Sequence, residues 1–371
     1  MTLLRAIVIV SQPMLSRITR NILILLSLHA GLTLAATAQP AKLGFSGPLS
    51  GGGAGWGNDV RNVLVFANEK LAGSRYELVF EDDRCNIKTS LLIAQKLSEI
   101  DGIKGVFTVC GQATIASAPH YRRKGIPVMA TLATPSRIAK LGIFRSSLND
   151  AWAGMKLARH IAARHKEVYV LTEEDEYAIG FLDDFRKAAQ GLNLSVTNES
   201  YLAEQQDFRP QLLRFRSKGA SALFLNTQTE EKLASLVRQL KELGMSPDLF
   251  GAYLPGSANF LKIAGQLAEG LVFVDFPAAE ELLTPEGRTL FAEYRGRFGE
   301  LQGWSYAFPA VFEAFRAMHQ ALCSGGAVEE YLRKTKFQGI IGQYSFDSNG
   351  DIIGPQHVLR VIKNGRSAAL E

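Results

Sequence analysis

The stretch Val109–Pro135, VCGQATIASAPHYRRKGIPVMATLATP, leaves few folds open to this chain. The apolar run Gly105–Val109 stops at Cys110-Gly111-Gln112, and a second, Ile126–Ala130, stops at Thr131-Leu132-Ala133-Thr134-Pro135. The spacing predicts one short helix between them, over Ala113–Arg122. Two strands joined through a helix run parallel, so both carboxyl ends open on the same edge of one sheet. In open α/β sheets that edge receives ligands. The helix after each strand begins with unpaired N–H groups, which attract a carboxylate or another electron-rich group.

The same alternation fills the rest of the chain. Strands Leu43–Ser46 and Tyr76–Phe80, with helices Asp59–Leu71 and Lys88–Ile100, complete a first series. A second begins after Ile143–Asp150, with helices 151–165, 179–190, 208–218, 230–243 and 258–264 between strands 168–171, 194–201, 222–225, 249–252 and 271–275. This is α/β, two doubly wound, Rossmann-like parallel sheets. Helices 285–298 and 305–322 belong to neither series by chain order. Pro309 lies early in the second of them, in its first turn or at a kink. Phe346–Asp351 reads as a tight turn and Gln356–Ile362 as an alternating final strand.

A chain of 371 residues has room for two cores. The first 38 residues stand apart: Arg17 and Arg20 precede the apolar run Ile22–Leu34, and Ala36-Thr37-Ala38 follows. That is the pattern of a secretory signal cleaved after Ala38, and Met14 to Ala38 makes a complete signal by itself. Its removal takes away three arginines and no acids, so the net charge falls from +5 to +2. The remaining cations are scattered among acids, with no stripe for nucleic acid. Export places the cysteines in an oxidising compartment. Cys85 and Cys110 both end strands, so a bridge between them is feasible if those strands are near neighbours. Cys323, closing an apolar helix, reads as a buried thiol. No Cys/His spacing suggests a metal site.

Enzymatic readings find little support. The loop SGPLSGGGAGWG holds neither G-x-G-x-x-G nor a following Gly-Lys-Ser/Thr, so its glycines are read as letting backbone approach a ligand. Gly44-Phe45-Ser46-Gly47-Pro48 has Pro where a nucleophile elbow needs Gly. Asp82-Asp83 and Asp183-Asp184 are sequence neighbours, which point different ways in a strand or helix. No cofactor is expected.

Taken in order, Gly44–Gly51, Glu81–Cys85, Cys110–Thr134, Glu176-Tyr177 with Gly180, Asp207-Phe208 with Leu212-Leu213, and Phe346–Asp351 resemble the type I periplasmic solute-binding proteins of the leucine/isoleucine/valine-binding group. The resemblance runs from residue 42 to 364. It implies two lobes joined by three hinge crossings, near Ser147–Asp150, Asp275–Pro277 and Phe346–Asp351. Lobe 1 would be residues 39–148 and 277–346, and lobe 2 residues 149–276 and 347–371. It also implies a periplasmic monomer that closes on a small solute and delivers it to an ABC permease. A ligand-sensing subunit of a signalling receptor is the alternative.

The resemblance further implies a site. Gly111 stands where the amino-acid binders have a serine, and Gln112 or Thr114 could replace its hydroxyl. Leu132, Ala133 and Thr134 match the segment that supplies a carbonyl and a threonine hydroxyl. From lobe 2, Tyr177 matches an aromatic over the ligand and Gln228 a second aromatic position. The acid that pairs with the ammonium should fall within Gly251–Gly256, where Tyr253 is the nearest match and no acid occurs. Trp56 matches the first-loop aromatic. A buried ammonium without a carboxylate costs several kcal/mol. The expected ligand is therefore a small carboxylate or amide, with Trp56, Tyr177 and Tyr253 as flat walls.

Overall fold

A computed structural model describes residues 40–370, and the segment assigned to the signal lies outside the described residues. Five parallel strands form the first sheet: β1 (Lys42–Gly47), β2 (Glu77–Asp82), β3 (Val106–Thr108), β4 (Val128–Ala130) and β5 (Phe144–Arg145), in the order β2-β1-β3-β4-β5. Helices α1 (Ala54–Ala72), α2 (Ile87–Gln95) and α3 (Gly111–Arg123) join the first four of these. After β5 the chain crosses to α4 (Asp150–Ala162) and the second sheet.

That sheet contains β6 (Glu167–Glu173), β7 (Ser195–Tyr201), β8 (Ala222–Asn226), β9 (Asp248–Ala252) and β10 (Val272–Asp275), all parallel in the order β7-β6-β8-β9-β10. The connecting helices are α5 (Glu176–Gln190), α6 (Arg209–Lys218), α7 (Glu230–Glu242) and α8 (Ala258–Ala264). Both sheets thus share one doubly wound order. Their switch points fall between β1 and β3 and between β6 and β8, where ligand crevices form.

The chain then crosses back through α9 (Ala279–Leu282), α10 (Pro285–Phe298), α11 (Ala307–Cys323) and α12 (Val328–Lys334). The buried Phe308 and Phe312 of α11 pack their rings against Phe66 of α1, so these helices cover the first sheet. Pro309 sits in the first turn of α11, where its missing N–H costs nothing. A small antiparallel sheet follows, of β11 (Phe337–Gly339), β12 (Gly342–Phe346) and β13 (Ile352–Ile353). A last crossing brings β14 (Val358–Lys363) antiparallel onto β10, and β15 (Arg366–Ala369) onto β14.

Two expectations need correction. Helix α1 starts at Ala54, more than a turn earlier than the spacing predicts, and takes Gly55 and Gly57 into itself. Gly57 serves packing: a Cβ on it would lie 1.7 Å from the Pro48 carbonyl oxygen, whereas Gly51 and Gly52 have open space around them. Cys323 is exposed, because α11 ends there and turns its last residue outward. Its sulfur lies 3.2 Å from the Arg75 guanidinium and 3.6 Å from His319 Nδ1.

Candidate functional site

The first and third crossings are tied together by one buried arginine. Arg145, at the end of β5, donates to Asp351 Oδ1 through Nε (2.8 Å) and Nη2 (2.5 Å), and through Nη1 to the carbonyls of Thr134 and Pro135, each at 2.8 Å. Asn149, the N-cap of α4, donates to Asp351 Oδ2 at 2.6 Å. Tyr306, the N-cap of α11, donates to the Ser146 carbonyl at 3.0 Å. Four of its five N–H donors are thus taken, and Arg145 makes no hydrogen bond to the acid that follows the crossing.

That acid is Asp150, the first residue of α4 and 2% exposed. Its Oδ1 accepts from Tyr253 Oη (2.8 Å) and from Tyr177 Oη (3.3 Å), and its Oδ2 accepts from Thr134 Oγ1 (2.9 Å). Thr134 and Tyr177 also meet directly at 3.2 Å across the two sheets' edges. Burial raises the Asp150 carboxyl to about 6; the Tyr253 and Thr134 hydrogen bonds and the more distant Arg145 charge pull it down, and Asp184 pushes it up. A carboxylate offers roughly four acceptor sites. Three hydroxyls occupy three of them, and no cation pairs with it among the described residues.

Tyr253 reaches this position on a strained backbone, with φ 56° and ψ −61°. Its ring stacks on Phe276 at 4.7 Å, and Phe276 stacks on Tyr306 at 4.9 Å, so an aromatic column fills the second crossing. Behind it, the buried His357 ring lies 3.0 Å from Tyr253 Oη through Nε2.

The outer rim of the cleft is polar. Arg137, in the turn after Pro135, donates to Glu176 of α5 at 2.8 Å. Gln112, with its amide oriented to suit both neighbours, donates to Glu176 (3.0 Å) and accepts from Arg137 (3.2 Å). Helix α3 makes its first internal bond from Thr114 N–H to the Cys110 carbonyl, which leaves the amides of Gly111, Gln112 and Ala113 without an intrahelical partner. A Cβ on Gly111 would lie 2.6 Å from Pro135 Cγ, so Pro135 takes the space a serine side chain would need. A disulfide joins Cys85 to Cys110, the N-cap of α3, with Cα atoms 5.3 Å apart.

The structure therefore brings Thr134, Tyr177 and Tyr253 together, with Gln112 and Gly111 beside them. The other expected residues have the following surroundings. Ala133 is buried within the first sheet's core and Leu132 packs partly buried against it. Thr114 is fully buried, its hydroxyl unpartnered. Trp56 packs against Gly303, where a Cβ would lie 2.9 Å from its own. Gln228 turns its amide to the Thr227 carbonyl (3.2 Å) and takes its backbone contact from Glu173. The buried acid that meets these hydroxyls is Asp150, outside residues 251–256. Its only sequence signal, Asn-Asp before a helix, is also that of an ordinary helix start.

Two doubly wound parallel sheets joined by three crossings, with hydroxyls and a buried acid gathered where they meet, are the architecture of a solute-binding protein. The profile of the family described as periplasmic binding protein matches residues 40–366, and the chain belongs to that family. The leucine-, isoleucine-, valine-, threonine- and alanine-binding protein of Pseudomonas aeruginosa is 26% identical over 333 residues, covering 85% of this chain and 88% of that one. The crystal structure of the leucine binding protein LivK from Thermotoga maritima superposes with a TM-score of 0.77 at 22% identity, covering 89% of this chain and 98% of its own. A solute-binding protein of R. palustris in complex with benzoate gives 0.74 at 17% identity, covering 89% and 95%. No described helix is long and apolar enough to cross a membrane.

Proposed function

We propose that the chain is the periplasmic solute receptor of an ABC permease and that its cleft takes a small carboxylate bearing an ammonium, an α-amino acid. The observation that carries this is Asp150. It is a buried carboxylate in the cleft, held by three hydroxyls, with one acceptor site open and no cation beside it. A ligand ammonium completes that set, as perturbed groups in clefts do for their ligands. The ligand's carboxylate then meets the free amides of α3 around Gly111 and Gln112, while Arg137 and Glu176 close the rim. The sequence reading, a carboxylate or amide rather than an α-amino acid, is revised here, because the buried Asp150 removes the argument from the missing acid at 251–256. The amino acids named for the Pseudomonas relative are in line with this reading.

The lobes are assigned as residues 39–148 with 277–346, and 149–276 with 347–371, which the two sheet orders and three crossings support. Cleavage after Ala38 and action as a monomer belong to the same proposal. A second reading, a carboxylate without ammonium, is favoured by the three hydroxyls that already satisfy most of Asp150. Calorimetric titration against pH separates the two. Leucine affinity should fall about tenfold per pH unit below about 6, as protons compete for Asp150. Benzoate should gain affinity over the same range, because a protonated Asp150 no longer repels it. A leucine affinity flat from pH 5 to 8 rules out the ammonium partner.

A further inference from the structure

A groove of about 630 Å³ lies between α4 and the segment leading into β14. Its volume falls within the range typical of small-molecule sites, roughly 300–1,000 Å³. Trp152, Met155 and Ile353 line it and are 36%, 40% and 49% exposed, so the groove has apolar walls open to solvent. Lys156 and Arg159 line it too, and neither has a carboxylate partner among the described residues. At its floor is His357, 3% exposed, whose Nδ1 is buried and unpartnered.

The state of that nitrogen follows from the hydrogen bonds. Tyr253 Oη gives its hydrogen to Asp150, so His357 Nε2 must give its own to Tyr253 Oη. Nδ1 is then a bare acceptor. Burial, with Lys156 and Arg145 nearby, pushes the imidazole down to about 3, which keeps it neutral. A buried acceptor without a donor costs about 1–3 kcal/mol. The groove therefore offers two free cations, an apolar body site and one acceptor that lacks a hydrogen.

We propose that this groove is a second small-molecule site, for an organic anion with an apolar body, a carboxylate for Lys156 and Arg159, and a hydroxyl hydrogen for His357 Nδ1, linked to the solute cleft through His357, Tyr253 and Asp150. A donor on Nδ1 strengthens the Nε2–H bond to Tyr253, which in turn strengthens the Tyr253 bond to Asp150, since linked hydrogen bonds polarise one another. The site itself does not rest on the identity of the cleft ligand; only the linkage does.

The test titrates 4-hydroxybenzoate, benzoate and 3-hydroxydecanoate into the mature chain and into Trp152→Ala and Lys156→Ala/Arg159→Ala, with Asp150→Asn as the cleft control. At least one hydroxylated probe should bind wild type and Asp150→Asn alike, weaken about tenfold or more in both groove variants, and bind better than benzoate. Leucine affinity measured alone should be unchanged in the groove variants. Binding lost in Asp150→Asn but kept in the groove variants, or no binding by any probe at millimolar concentration, overturns the site. For the linkage, the bound probe should shift leucine affinity about twofold or more near pH 6, and His357→Phe should abolish the shift. A shift that persists in His357→Phe overturns the relay.

Discussion

At the scale of single residues, Asp150 sets a conflict between stability and binding. Burial raises its carboxyl from 3.8 to about 6. A raised group contributes stability fully present below its unfolded value and lost as pH rises through its folded one, so Asp150 penalises the empty protein above pH 6. Asp150→Asn should therefore stabilise the ligand-free chain at pH 7.5 by about 2 kcal/mol, leave it little changed near pH 4, and cost at least about 100-fold in leucine affinity. Urea unfolding at the two pH values, with calorimetry at the higher, measures both. Tyr177→Phe removes one hydroxyl from Asp150 and its contact with Thr134. It should weaken leucine about tenfold with little change in fold stability, read by the same titration.

At the scale of elements, the start of α3 is the part of the site most closely determined by its neighbours. The disulfide holds its N-cap to the loop after β2, closing a separation of 25 residues. Replacing both cysteines by alanine should cost about 3 kcal/mol of unfolding free energy in the chain-entropy account. Gly111 and Pro135 occupy one space between them. Gly111→Ser alone should destabilise by about 1–3 kcal/mol through overpacking, and adding Pro135→Ala should recover most of it. A double-mutant cycle in thermal unfolding tests that coupling. This part of the site was only half visible in the chain: the strand-helix-strand pattern of 105–130 predicts the helix and its edge, but not that Pro135 fills the serine's place.

At the scale of the whole molecule, closure rests on a few contacts of very different weight. Arg137–Glu176 joins the turn after Pro135 to α5 but is about half exposed at each end, so Arg137→Ala should loosen leucine binding only about two- to fivefold. Arg145–Asp351 is buried at both ends and ties the first crossing to the third. Arg145→Ala strands a buried carboxylate and should cost about 3–5 kcal/mol in denaturant unfolding, whether ligand is present or not. Local patterning determined much of this protein: the alternation of apolar runs and amphipathic stretches gives two doubly wound sheets, and Val109–Pro135 marks an edge of the first, because strand and helix periodicities are properties of neighbouring residues. Thr134 and Tyr177 were legible because each lies in a run that carries the family resemblance, one after β4 and one opening α5. Only the tertiary structure decided that Asp150 joins them, that Tyr253 turns its hydroxyl onto that acid, and that Trp56 and Gln228 face other neighbours. Those contacts join residues as far apart in the chain as Asp150 and Tyr253 or Trp56 and Gly303, and no local rule of spacing reports which side chains the crossings bring into one place.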